Sequence, residues 1–196
     1  RVAVQARGYI SVFPVGAGRL VDVVSDSAQR ARDLTFSADG KSLYFVSDAT
    51  GELEFWQVPT NGSARPTPLT KGSDAALGDP SVSPDGSTLA YRDAMRQVWL
   101  LDIKSGTKTR LHHQDAGEID GLTWSPDGQH LVLSASGSNE FQRLWLFHVP
   151  TGQRLALTSD RYHARDAVFS PDSKVLYFLS DRHLSSTVPA PWGQRD

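Results

Sequence analysis

Phe169-Ser170-Pro171-Asp172-Ser173-Lys174 is the fourth occurrence of one short pattern. The earlier ones are Phe36-Ser37-Ala38-Asp39-Gly40-Lys41, Val82-Ser83-Pro84-Asp85-Gly86-Ser87 and Trp124-Ser125-Pro126-Asp127-Gly128-Gln129. Successive aspartates are 46, 42 and 45 residues apart, a spacing in the range of propeller blades. Ser-Pro-Asp-Gly suits a type I turn between antiparallel strands: proline presets φ at the second position, aspartate accepts the third, and glycine supplies the positive φ that closes the hairpin. Ser173 stands where the other copies carry glycine. A side chain at positive φ is unfavourable, so this last turn is expected to be looser or of another type.

The flanks alternate. Leu34 and Phe36, Pro80 and Val82, Leu122 and Trp124, and Ala167 and Phe169 precede the turns, while Leu43 and Phe45, Leu89 and Tyr91, Leu131 and Leu133, and Leu176 and Phe178 follow them. Period two places each set on one buried face of a strand. The expected fold is therefore all-β, a β-propeller segment of about four four-stranded antiparallel blades. Residues 1–187 form this segment: a partial blade at 1–31, blades at about 32–73, 74–117 and 118–163, and a partial blade at 164–187. Residues 188–196, with Pro189, Pro191 and Gly193, read as a linker leading out. Both partial blades supply a second strand, which a ring closed on one shared blade cannot use, so the segment is expected to be an incomplete arc of a larger propeller of about seven blades. Trp56, Trp99 and Trp145 recur at one place in successive blades and are expected to pack blade against blade.

Composition narrows the partners. A formal charge of −2 over 196 residues gives no electrostatic reason to expect nucleic acid or an anionic membrane. The absence of cysteine excludes disulfides and thiolate metal sites and fits either a bacterial cytoplasm or a periplasm for a soluble protein. No apolar run approaches the roughly 20 residues of a membrane span. Arg1 opens onto a strand-like stretch rather than a signal peptide, so the start of the parent protein is expected upstream.

The segment Asp166-Ala167-Val168-Phe169-Ser170-Pro171-Asp172-Ser173-Lys174-Val175-Leu176-Tyr177-Phe178-Leu179-Ser180-Asp181-Arg182 resembles the blades of TolB-like and tricorn-type propellers. Leu179-Ser180-Asp181-Arg182 followed by Ala190-Pro191-Trp192-Gly193 is similar to the exit from the second propeller of bacterial tricorn-type serine peptidases. That resemblance implies the later part of a second propeller, noncatalytic in itself, which filters oligopeptides and guides them to serine-peptidase domains elsewhere in the parent. The implied partners are oligopeptides and the other domains of the parent, through which any oligomer would form, and no cofactor is implied. Two alternatives stay open: a TolB-like protein-binding propeller without enzymatic activity, and the propeller of a prolyl oligopeptidase relative.

Motifs for chemistry within the chain are lacking, with neither Gly-x-Ser-x-Gly nor His-Glu-x-x-His present. No catalytic, metal or cofactor residue is assigned. The candidate channel-lining residues are Arg32, Asp33, Asp79, Asp120, Arg165 and Asp166, placed at the start of the innermost strands, with Arg161 and His163 as rim groups. Charges around a narrow passage concentrate field lines and can orient a peptide, although the same aspartates could cap backbone N–H groups and pair with the arginines. Gly16-Ala17-Gly18 reads as a hairpin turn, Ser134-Ala135-Ser136-Gly137-Ser138-Asn139 as a long hairpin loop, and His112-His113 as a surface loop whose two rings point apart. The turn aspartates Asp39, Asp85, Asp127 and Asp172 each stand alone, without the clustered oxygens calcium requires.

Overall fold

The computed structural model describes residues 1–25, 29–73 and 75–182. The expected linker at 188–196 and the end of the last partial blade lie outside the described residues.

Among the described residues five antiparallel sheets follow one another. The first holds β1 (Val2–Ala6), β2 (Tyr9–Phe13) and β3 (Val21–Val24). Three four-stranded sheets come next: β4 (Ala31–Phe36), β5 (Ser42–Ser47), β6 (Glu54–Pro59) and β7 (Thr67–Pro68); β8 (Leu77–Val82), β9 (Thr88–Asp93), β10 (Gln97–Asp102) and β11 (Lys108–His113); β12 (Ile119–Trp124), β13 (His130–Ser136), β14 (Gln142–His148) and β15 (Gln153–Ala156). The fifth holds β16 (Ala164–Phe169) and β17 (Leu176–Ser180). Each sheet is a meander whose strands pair in chain order. Among the described residues no helix is long and apolar enough to cross a membrane. This is the all-β repeat expected from the turn pattern.

The repeated turn builds its own hydrogen-bond network. Ser37 N donates to Ser42 O at 2.9 Å, and Gly40 N returns to Ser37 O at 2.8 Å. The Ser37 hydroxyl donates to Asp39 Oδ1 at 2.7 Å, the same carboxylate oxygen accepts Lys41 N at 3.0 Å, and Ser42 N donates back to Ser37 Oγ at 2.9 Å. Equivalent bonds recur around Ser83 and Asp85, Ser125 and Asp127, and Ser170 and Asp172. The aspartates thus spend their acceptors on their own turns. Ser173 overturns the expected looser turn: it adopts φ 59°, and its N donates to Ser170 O at 2.9 Å as glycine does elsewhere. Its hydroxyl accepts Asp127 N at 3.1 Å, an added contact with the preceding turn that helps offset the cost of the left-handed backbone.

The core is a series of seams between consecutive sheets. Ile10, Val12, Val23 and Val24 meet Leu43, Phe45 and Val58; Val46 and Phe55 meet Leu77, Leu89, Tyr91 and Leu101. Ala90 and Val98 then meet Leu122, Leu131, Leu133 and Phe147, and Val132 and Leu144 meet Ala164 and Ala167. Phe55 and Tyr91 cross edge to face at 4.9 Å. Each fully buried side chain of this size contributes about 1.5–3 kcal/mol. Trp56, Trp99 and Trp145 each pack on the seam to the preceding sheet, as their spacing suggested. The fifth sheet differs on its far face, where Tyr177 is 63% and Leu179 58% exposed, whereas their register equivalents Tyr44, Val46 and Val132 are 5%, 0% and 0% exposed.

Two sequence expectations are corrected. His112 and His113 end β11 rather than forming a loop, with His112 buried and His113 exposed, because β11 continues in pairing with β10 as far as Gln97 opposite His113. Ser134, Ala135 and Ser136 belong to β13, paired with Leu144, Arg143 and Gln142. Their small side chains fit a strand interior, so the polarity of the serines misled the reading.

Candidate functional site

The inner strands β4, β8, β12 and β16 are each broken at one point. Pairing shifts between Arg32 and Thr35, Gly78 and Ser81, Asp120 and Thr123, and Arg165 and Val168. Inside each break one residue is left-handed: Asp33 at φ 53°, Asp79 at φ 50°, Gly121 at φ 66° and Asp166 at φ 54°. Such a bulge bends the strand and favours glycine, with Asp and Asn next, because larger or branched side chains clash in that conformation. The recurring aspartate is therefore first a backbone requirement.

This geometry corrects two expectations. The aspartates lie inside the strands rather than at their starts, and Asp120 does not share their register. Asp120 pairs with Ser134 as Arg32 pairs with Val46, and Gly121 takes the bulge position. The count shows it: Asp33, Asp79 and Asp166 lie six residues before their turn aspartates, but Asp120 lies seven before Asp127.

The bulges still gather charge along one line. Arg32 Nη2 donates to Leu77 O at 3.0 Å, tying β4 to β8, and its guanidinium lies 3.6 Å from Asp33. Arg92 of β9 binds Asp79 in its own sheet through a short Nε contact and reaches Asp120 of the next sheet at 4.0 Å. Gln142 Nε2 donates to Asp120 Oδ2 at 3.5 Å, and Gln142 N donates to His163 Nδ1 at 3.3 Å. His163 and Arg165 line an open cleft of about 500 Å³ with Gln142, Leu179 and Asp181. Asp166 pairs with Arg165 at 3.9 Å. Arg161 is not brought to this line; it borders a separate cleft with Tyr162 and Arg182.

The charges shape one another. Burial pushes the Asp120 carboxyl above its ordinary pKa; the charges of Asp79 and Glu118 add to the rise and Arg92 offsets part of it. Burial works against the Arg92 charge, but the hydrogen bond and charge of Asp79, with Asp120 and Asp33 beyond, raise its pKa all the same. Arg92 and Gln142 were missed by reading the inner strands alone. Arg92 shares its register with Val46, Ser134 and Leu179, so aligning the second strands exposes it as the charged exception. Among the described residues no group of three or more His, Asp or Glu could hold a metal. The array offers paired ionic groups, suited to holding charged or amide groups of a ligand.

Residues 1–193 match the family described as the tricorn protease second beta propeller domain. This chain belongs to that family. This chain is 30% identical over 154 residues to tricorn protease homolog 1 of Streptomyces coelicolor, covering 76% of this chain and 14% of the relative. The crystal structure of the tricorn protease superposes with a TM-score of 0.79 at 17% identity, covering 93% of this chain and 18% of that one. TolB from Acinetobacter baumannii superposes with a TM-score of 0.67 at 18% identity, covering 87% and 42%. At these identities the two structures show the shared propeller fold. The tricorn-type propeller thus spans less than half the length of each of these relatives.

Proposed function

We propose that this propeller segment screens oligopeptides and steers them toward an active site carried by other domains of its parent, with no catalysis of its own. The supporting observation is the line of ionic groups on four successive inner strands and the neighbouring β9: Arg32 with Asp33, Asp79 and Asp120 with Arg92 of β9, and Arg165 with Asp166, with His163 beside Arg165 in one cleft; Arg161, on a separate cleft, is kept in this reading only as an outlying rim group. A peptide carries an ammonium, a carboxylate and a row of amides, each of which can exchange into such pairs. Arg92, Asp79 and Asp120 are half-exposed, so water screens every contact and each is worth no more than about 1 kcal/mol. That weakness suits passage rather than retention. The same reading takes residues 1–187 as part of one propeller of about seven blades and residues 188–196 as the way out.

The test is made in the full-length parent protein. Joint substitution Arg92→Met and Asp120→Asn should alter kcat/KM for a long peptide several-fold and leave a dipeptide-sized substrate unchanged, while the isolated chain shows no turnover. An equal effect on both substrates, or none on either, would sink the filter. A second reading, a TolB-like protein-binding propeller, is favoured by the TolB likeness. A serine-peptidase region in the same reading frame supports the first reading, its absence the second, and an α/β-hydrolase domain with a nucleophile elbow a prolyl oligopeptidase relative.

A further inference from the structure

Away from the inner rim, beside the outer strand β11 and the β13–β14 connection, an open cleft of about 420 Å³ is bordered by His112, Ser138, Asn139, Arg143, Trp145 and Arg154. The Arg143 and Arg154 guanidiniums lie 5.1 Å and 5.0 Å from the Trp145 ring centroid. Arg143 precedes Trp145 by two residues on β14, whereas Arg154 pairs with Phe147, two residues beyond it. The indole is thus flanked along the strand by two cations, each attracted to the ring's negative face.

The two arginines are not equivalent. Arg143 is committed to Asp160 at 3.1 Å. Arg154 Nη1 donates to His112 Nδ1 at 3.3 Å, and among the described residues no carboxylate lies within 4.0 Å of it. A guanidinium can only donate, so His112 must offer Nδ1 as an unprotonated acceptor. Burial, reinforced by the Arg154 charge, holds the His112 imidazole below the ordinary histidine pKa, which keeps that acceptor free. The His112 ring is itself seated against Phe147, with centroids 5.3 Å apart. Arg154 is therefore oriented by an aromatic stack and a neutral acceptor while its charge and remaining N–H donors are unmatched. A fork held in this way is prearranged for a planar oxyanion, which it can grip with two parallel bonds.

We propose that Arg154, stacked on Trp145 and tethered to His112, is the docking point of a carboxylate-binding site on the outer flank of the propeller. Two sources supply such a carboxylate, a peptide C-terminus and a small organic acid, and the experiment separates them. The 196-residue chain is titrated calorimetrically with N-acetyl-dialanine, with its C-terminal amide and with succinate. The free acid should bind in the millimolar range or tighter and the amide at least about tenfold more weakly, in keeping with a charge-assisted pair. Arg154→Gln should lose the same factor for the acid, Arg154→Lys should recover part of it, and Arg110→Gln, on β11 outside the cleft, should bind like the parent. Arg154 is exposed on an outer strand, so its variants should keep the parent melting temperature. Tighter binding of succinate with the same dependence on Arg154 upholds the site with a small acid as its ligand. Equal binding of acid and amide, an unchanged affinity in Arg154→Gln, an equal loss in Arg110→Gln, or no binding of any probe overturns it.

Discussion

A turn aspartate in this chain is an acceptor before it is a charge. The Ser83 hydroxyl, then the Ser87 N–H and hydroxyl, hold the Asp85 carboxyl below its ordinary value of 3.8, and Asp39, Asp127 and Asp172 are lowered in the same direction by their own turns. A depressed folded pKa means that the unfolded chain binds protons first on acidification. The stability these groups supply is therefore complete above about pH 3.8 and is lost as pH falls through the lower folded values. Asp85→Asn should cost less than about 1 kcal/mol at neutral pH, since solvent screens an exposed group, and should flatten the acid limb of a melting-temperature profile. An unchanged acid limb would show that the turn carboxylate contributes nothing by linkage. At this scale the sequence was legible wherever one residue type answers one backbone demand, as in the serine, aspartate and glycine of the turn. Ser173 was misread because its compensation, a hydroxyl accepting Asp127 N, comes from a neighbouring turn 46 residues away.

Within a strand the deciding feature is the bulge. Alternation of apolar residues predicted that β4, β8, β12 and β16 exist and which face they bury, but period two carries no mark for a residue inserted out of register. Hence Asp120 was grouped with Asp33, Asp79 and Asp166, and Arg92, one strand further out, was overlooked. The structure ties the bulge to left-handed backbone rather than to charge. Gly121 sits at φ 66° with its nearest neighbour, Ser134 Oγ, 3.9 Å from where a Cβ would stand. There is space, so the backbone alone sets the cost. Gly121→Asn should stay within about 1 kcal/mol of the parent, whereas branched Gly121→Val should lose about 2 kcal/mol or more in denaturant titrations. Equal losses would mean that the break is not governed by left-handed geometry.

The whole molecule is held by what passes between sheets. Tyr177 and Leu179 show the rule by exception, since their apolar equivalents Tyr44, Val46 and Val132 in earlier sheets are buried and these two are 63% and 58% exposed. A patch of this kind favours association. In the isolated chain, Tyr177→Lys with Leu179→Lys should reduce concentration-dependent self-association in sedimentation and leave stability within about 1 kcal/mol. Tyr44→Lys with Val46→Lys, at the buried equivalents, should cost well over about 4 kcal/mol. Association undiminished by the first pair would locate the sticking surface elsewhere.

Because each hydrophobic cluster joins two consecutive sheets, the arc behaves as a row of tiles, each glued to the tiles beside it. Damage at one joint is quarantined: loosening Phe55 against Tyr91 would free a hinge there while the joints on either side kept their grip.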